Sequence, residues 1–100
     1  YHMYVAPHNP LGPISLAACL QLDSCIPNFL VQEFPGVPEG WDLGKELLEK
    51  PFEIKNGYID VPKGPGLGVT VCEEAVRRLA DDGWRKNTTQ VYPDGSQADW

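Results

Sequence analysis

The chain has 100 residues, 42% apolar and 22% charged, an ordinary composition for a soluble globular chain of one small domain or part of a larger one. Its formal net charge of −6 argues against nucleic acid as a partner, since phosphate binding needs a basic surface. No apolar run approaches the roughly 18 residues needed to span a membrane, so no membrane partner is expected.

Cys19, Cys25 and Cys72 are odd in number and form no CxxC, which argues against a zinc site and a disulfide framework. Cys19 lies in an apolar run and is expected to be a buried thiol, and a reduced, cytoplasmic setting fits this cysteine usage. Asn87-Thr88-Thr89 matches the glycosylation acceptor pattern, which in such a setting is a chance match.

Residues 1–7 read as a strand, with Val5 and Ala6 small and apolar and Pro7 marking its end. Asn9, Pro10, Gly12 and Pro13 turn the chain, and Pro13 suits the first helical position because its missing N–H has no helical partner there. A helix follows, with Ile14, Ala17, Ala18 and Leu22 on a broad face that Leu16 and Leu20 widen. It stops near Ser24, because Pro27 forbids helical geometry at Ile26. Residues 28–33 read as a second strand, and the continuous run Phe29-Leu30-Val31 is the pattern of a strand buried on both faces. Strand, helix, strand favours a parallel pair joined by a right-handed crossover. Both strands end in titratable residues, His8 and Glu33.

Residues 34–40 are a loop by composition. Residues 41–50 read as a short helix with Leu43, Leu47 and Leu48 on one side, ended by Pro51. FEIK-NG-YIDV, residues 52–61, predicts a hairpin, since Asn56-Gly57 supplies the positive φ angles of a type I′ turn. PKGPGLG is a turn-rich connector without the spacing of a phosphate-binding loop. A helix is expected over 71–80, with Thr70 as N-cap, Glu73 at the third helical position, and Val71, Ala75, Val76 and Leu79 on its apolar face. Trp41, Trp84 and Trp100 read as packing anchors.

In α/β sheets and barrels ligands bind at the carboxyl ends of the strands, where His8 and Glu33 are expected. A histidine there can move protons near neutral pH, and a carboxyl group beside it can bond a substrate oxygen or stabilise developing charge. On the residues alone, the plainer account of the pair, a capped strand end and a solvated carboxylate, is the favoured one.

The stretch VAPHNPLGPISLAACLQL, followed by IPNFLVQE, resembles the C-terminal barrel segment of the enolase superfamily. Within it, the likeness is to the mandelate racemase/muconate lactonizing enzyme group and its sugar-acid dehydratases, above all those of the galactonate type. PFEIKNGYIDVPKGPGLGV resembles the segment after the barrel, and DGSQADW the C-terminus.

The resemblance implies an α/β fold: residues 1–34 as the last two units of a (β/α)8 barrel, and residues 35–100 as a hairpin-and-helix segment that packs on a capping domain. It implies that His8 is the general base removing the proton next to the substrate carboxylate. Glu33 would hold the enediolate or the substrate carboxylate, and for Glu33 to donate there its pKa must be raised. Loss of the 3-hydroxyl then gives a 2-keto-3-deoxy acid.

The implied cofactor is Mg2+, with ligands expected upstream: Asp23, Glu39, Asp42 and Glu46 do not fall on successive strand ends. The acid that orients the histidine is expected on a sixth strand, also upstream. The implied substrate is a small sugar acid, and the full-length protein is expected to be a homo-oligomer. The chain reads as a C-terminal fragment of such an enzyme, inactive in isolation. A truncated remnant, or another racemase or cycloisomerase of the superfamily, are the other readings.

Overall fold

The computed structural model describes residues 2–34, 44–80 and 91–96. Helix α1 spans Pro13–Asp23. Pro13 occupies its first turn, and the Leu16 amide bonds the Gly12 carbonyl at 2.9 Å to open the helical ladder. Leu, Ala and Gln then carry it with little loss of side-chain entropy. At the other end Ser24 stays near helical geometry, and its hydroxyl donates to the Gln21 carbonyl at 2.8 Å. Pro27 follows, so the expected stop is where the helix ends.

The buried stripe of α1 is narrower than its apolar sequence. Leu16, Ala17 and Leu20 are buried, whereas Ile14, Ala18 and Leu22, four residues apart, lie on an exposed face. Cys19 is half-buried, not the fully buried thiol expected of it, and Cys25 is exposed.

The two flanking segments meet in parallel, but among the described residues no run of strand forms. Val5 and Phe29 make a single parallel bridge, with Val5 N–H on the Asn28 carbonyl and Leu30 N–H on the Val5 carbonyl, both at 2.9 Å. Pro7 explains why the ladder goes no further. It has no N–H to give the next rung, and its carbonyl is met by the Gln32 side chain, Nε2 at 3.3 Å. Phe29, Leu30 and Val31 were expected to be buried on both faces, but they are 39%, 62% and 55% exposed, because neither face is covered.

The later elements depart from expectation in the same way. Lys55 and Tyr58 pair across the Asn56-Gly57 turn through amide–carbonyl bonds of 2.9 and 3.0 Å. Both turn residues have positive φ, 53° and 81°, as a type I′ turn demands. The flanking strands do not extend the bridge, however. Ile54 and Tyr58 are exposed, and a two-stranded hairpin with no face to bury is marginal. Of the helix expected over 41–50, residues 41–43 lie outside the described residues, and the remainder holds a single 3₁₀ turn, Lys45–Leu47.

Helix α2 spans Glu73–Leu79, not 71–80. The reason is an antiparallel bridge between Leu48 and Val71, with Cys72 N–H on the Leu47 carbonyl at 2.9 Å and Glu49 N–H on the Thr70 carbonyl at 3.0 Å. That pairing keeps 70–72 extended, so Cys72 is the N-cap, Thr70 caps nothing, and Glu73 is the first helical residue. Ala75 is buried, but Val76 and Leu79 are 40% and 48% exposed. Arg78 pairs with Glu46 at 2.5 Å, tying α2 to the 3₁₀ turn. The halves of the chain are joined by Gln21, whose Nε2 donates to the Pro62 carbonyl at 3.0 Å. Trp41, Trp84, Trp100 and Asn87 to Thr89 lie outside the described residues.

The buried apolar core among the described residues is Leu16, Ala17, Leu20, Leu48 and Ala75. The chain exposes 8611 Å². A folded monomer of 11.1 kDa should expose about 5,700 Å². Among the described residues, the uncovered faces of α1, α2 and the 28–31 segment contribute to that excess.

Candidate functional site

The Val5–Phe29 bridge fixes the register in which His8 and Glu33 leave the two parallel segments on the same side. The predicted pair meets directly: His8 Nδ1 lies 2.7 Å from Glu33 Oε2. The same oxygen accepts the Asn9 backbone N–H at 2.6 Å. Both side chains are open to a ligand, 60% exposed for His8 and 45% for Glu33.

The Asn9 backbone amide above all holds the Glu33 carboxyl below the usual carboxylate range, against the opposing effect of burial and with His8 adding to the lowering. That is opposite to the direction a protonated, donating Glu33 requires.

Asn9 and Gln32 are the residues that sequence reasoning missed. Asn9 is the buried polar residue of the described core, at 0% exposure. Its Nδ2 approaches the Glu33 carbonyl at 3.5 Å, and its Oδ1 is buried with no hydrogen-bond partner. Gln32 Nε2 also donates to the Glu33 carbonyl, at 2.6 Å. Asn9 beside Pro10 reads as an ordinary turn residue. The available signal was its position, directly after a histidine at a strand end.

Among the described residues no group of three or more His, Cys, Asp or Glu side chains is placed to hold a metal ion. Of the acidic residues considered in the sequence, Glu39 and Asp42 lie outside the described residues, and Glu46 is engaged with Arg78. Asp23 ends α1 with both carboxylate oxygens buried and unpartnered, and burial pushes its pKa up. The described residues therefore do not fit a magnesium site. Away from His8, a broad open groove between residues 49–55 and 59–70 mixes Lys50, Lys55 and Lys63 with Glu53 and Asp60, and carries no such convergence.

Residues 1–75 match the family described as enolase C-terminal domain-like. The chain belongs to that family. Over its whole length it is 42% identical to a D-galactonate dehydratase of Ralstonia nicotianae and 38% identical to one of Pectobacterium atrosepticum. It spans 28% of the length of each of these relatives. Among solved structures, a protein assigned to the mandelate racemase/muconate lactonizing enzymes from Burkholderia SAR-1 superposes with a TM-score of 0.70 at 34% identity, covering 85% of this chain and 21% of that one. A second, from Labrenzia alexandrii DFL-11, gives a TM-score of 0.69 at 38% identity over 81% of this chain and 20% of that one. For this enolase-family chain, the two parallel segments around α1 are thus part of a barrel domain.

Proposed function

We propose that this chain supplies the base-bearing part of a sugar-acid dehydratase of the galactonate type. The observation that carries the reading is the juxtaposition of His8 and Glu33 at 2.7 Å on parallel segment ends, in a chain similar along its full length to D-galactonate dehydratases. His8 takes the proton from the carbon next to the substrate carboxylate. The electron pair left behind moves into the carboxylate as an enediolate. It returns to form a C2–C3 double bond as the 3-hydroxyl leaves, with a proton, as water. The enol then becomes the 2-keto-3-deoxy acid, and no redox partner is involved.

A proton next to a carboxylate is far too weakly acidic for imidazole unless the enediolate is stabilised. Members of the enolase superfamily use Mg2+, and the described residues hold no ligand set for it, so the chemistry assigned to this chain is confined to the proton and to the groups that aim His8.

The test is a chimera. The matching 28% of the Ralstonia nicotianae protein is replaced by this chain, and the product is incubated with a panel of aldonic acids. The expected result is a 2-keto-3-deoxy acid, and loss of both product and C2–H exchange with solvent in His8→Asn. A folded chimera that epimerises C2 without eliminating water, or that turns over unchanged with His8→Asn, would refute the reading.

A further inference from the structure

We infer that Asn9 is a positioning residue for Glu33, holding its Oε2 so that Oε1 is the oxygen left to meet the substrate carboxylate or the enediolate; the inference rests on the reading of this chain as part of a dehydratase. Parallel pairing of the two segments ends at Pro7, which has no N–H for a further rung. Two residues on, the Asn9 N–H takes up the crossing and donates to Glu33 Oε2 at 2.6 Å. Pro10 disfavours helical geometry at Asn9, so the chain itself restricts the direction of that N–H before any ligand arrives. The Glu33 side chain is 45% exposed, which leaves its other oxygen open to a ligand.

The Asn9 carboxamide is the second part of the device. It is wholly buried, its Nδ2 stands 3.5 Å from the Glu33 carbonyl, and its Oδ1 has no hydrogen-bond partner. Burying an amide with an unmet acceptor costs stability that a leucine of similar volume would not. Packing alone therefore does not account for an asparagine here. What the carboxamide adds is a tie to the main chain of the residue whose side chain its own N–H holds. Gln32 Nε2 meets the same carbonyl at 2.6 Å and reaches the Pro7 carbonyl at 3.3 Å. Glu33 is thus held at main chain and side chain, so its carboxyl is placed before binding and not by it.

The experiment is proton–nitrogen NMR of the full 100-residue chain through an acid titration. An N–H bond to a carboxyl strengthens when the carboxyl ionises, and the amide proton moves downfield. The Asn9 N–H is expected to follow the titration of Glu33, and to stop following it in Glu33→Gln. The Asn9 Nδ2 protons are expected to exchange more slowly than in concentrated urea. Asn9→Leu keeps the volume and removes the carboxamide. It is expected to lose most of the residue-9 titration shift while the Val5 and Leu30 amides keep their positions. An Asn9 N–H that ignores Glu33, or Nδ2 protons that exchange as in urea, overturns the inference from the wild-type chain alone, even where a variant fails to fold. An unchanged titration shift in folded Asn9→Leu overturns it too. In the chimera, Asn9→Leu is expected to lower kcat/KM, and to lower it no further once Glu33→Gln is present, the mark of a residue that acts through Glu33. Additive losses would overturn that role. An inactive chimera whose Asn9 N–H follows Glu33 counts against the dehydratase reading alone. An active chimera whose Asn9 N–H ignores Glu33 counts against Asn9 alone.

Discussion

Gly68 and Gly57 offer a paired test of how tightly the connector is built. Both have positive φ, +71° and +81°, so alanine at either is strained in the left-handed region by roughly 1–2 kcal/mol. The two sites differ in space. A Cβ at Gly57 meets nothing within 4 Å, whereas one at Gly68 falls 2.7 Å from Pro62 Cβ and 3.0 Å from both Gly64 N and Pro62 C. Those atoms are ring and backbone, which cannot rotate away, so overpacking adds about 1–3 kcal/mol at Gly68 alone.

Gly68→Ala is then expected to cost about 2–5 kcal/mol. A chain of this length has only about 5–15 kcal/mol to lose. With a urea m-value of about 1.5 kcal/mol/M, its unfolding midpoint lies roughly 0.7–2 M below that of Gly57→Ala. Far-UV circular dichroism through a urea titration measures both midpoints. A second signal is local: the Pro62 and Leu67 carbonyls accept Gln21 Nε2 at 3.0 and 3.4 Å, so the Gln21 side-chain amide resonances shift in Gly68→Ala and not in Gly57→Ala. Equal midpoints with undisturbed Gln21 resonances would refute the close approach on which this reasoning stands.

Other expectations concern charge and core. The folded pKa of Glu33 is lowered, so its stabilising contribution is present above the unfolded value near 4.5 and is lost as pH falls through the folded value. Urea midpoints followed below pH 5 should fall less steeply in Glu33→Gln, and an unchanged acid limb would contradict the assignment. Asp23 has the reverse sign: its folded pKa is raised above 3.8, so ionisation destabilises the fold as pH rises through that window. Asp23→Asn should raise the unfolding free energy at neutral pH by about 0.3–1 kcal/mol, and the midpoint with it, since it also removes a negative charge from the C-terminus of α1. A lower midpoint would show that the carboxylate has a partner. Leu20→Ala empties a site that is 5% exposed and should cost about 2–5 kcal/mol by thermal or urea unfolding. Ile14→Ala, on the exposed face of the same helix, should stay within about 0.5 kcal/mol.

Local chemistry was the most readable part of this chain. Pro13 opening α1, Pro27 closing it, and Asn56-Gly57 turning with two positive φ angles all depend on neighbours a few residues away, and all are as the sequence indicates. The parallel placement of the segments ending in His8 and Glu33 was also readable, because strand–helix–strand leaves few ways to arrange two parallel ends, whereas their direct contact was not. What the sequence did not show depends on distant partners. Thr70 looked like a cap until its carbonyl was drawn into pairing with Glu49, which moved the start of α2 to Glu73. Phe29 to Val31 carry the pattern of a fully covered strand, and Ile14 and Leu22 that of a buried helix face, but the surfaces that would cover them are not among the described residues. In this chain the direction of the Glu33 pKa is set first by the Asn9 backbone amide, which no side-chain pattern reports.

The single rung between Val5 and Phe29 also makes the chain a reporter of its own assembly. Alternation along a parallel segment sends the Leu30 amide toward Val5 and the Val31 amide to the opposite side. In a hydrogen-exchange experiment, slow amides would therefore come as islands: α1 from Leu16 onward, Val5 with Leu30, the crossing of Glu49 and Cys72, and α2 from Val76. Val31 would exchange freely. When the chain is joined to the rest of a barrel, new protection at Val31 would mark the arrival of a strand on that open edge, residue by residue and without any substrate.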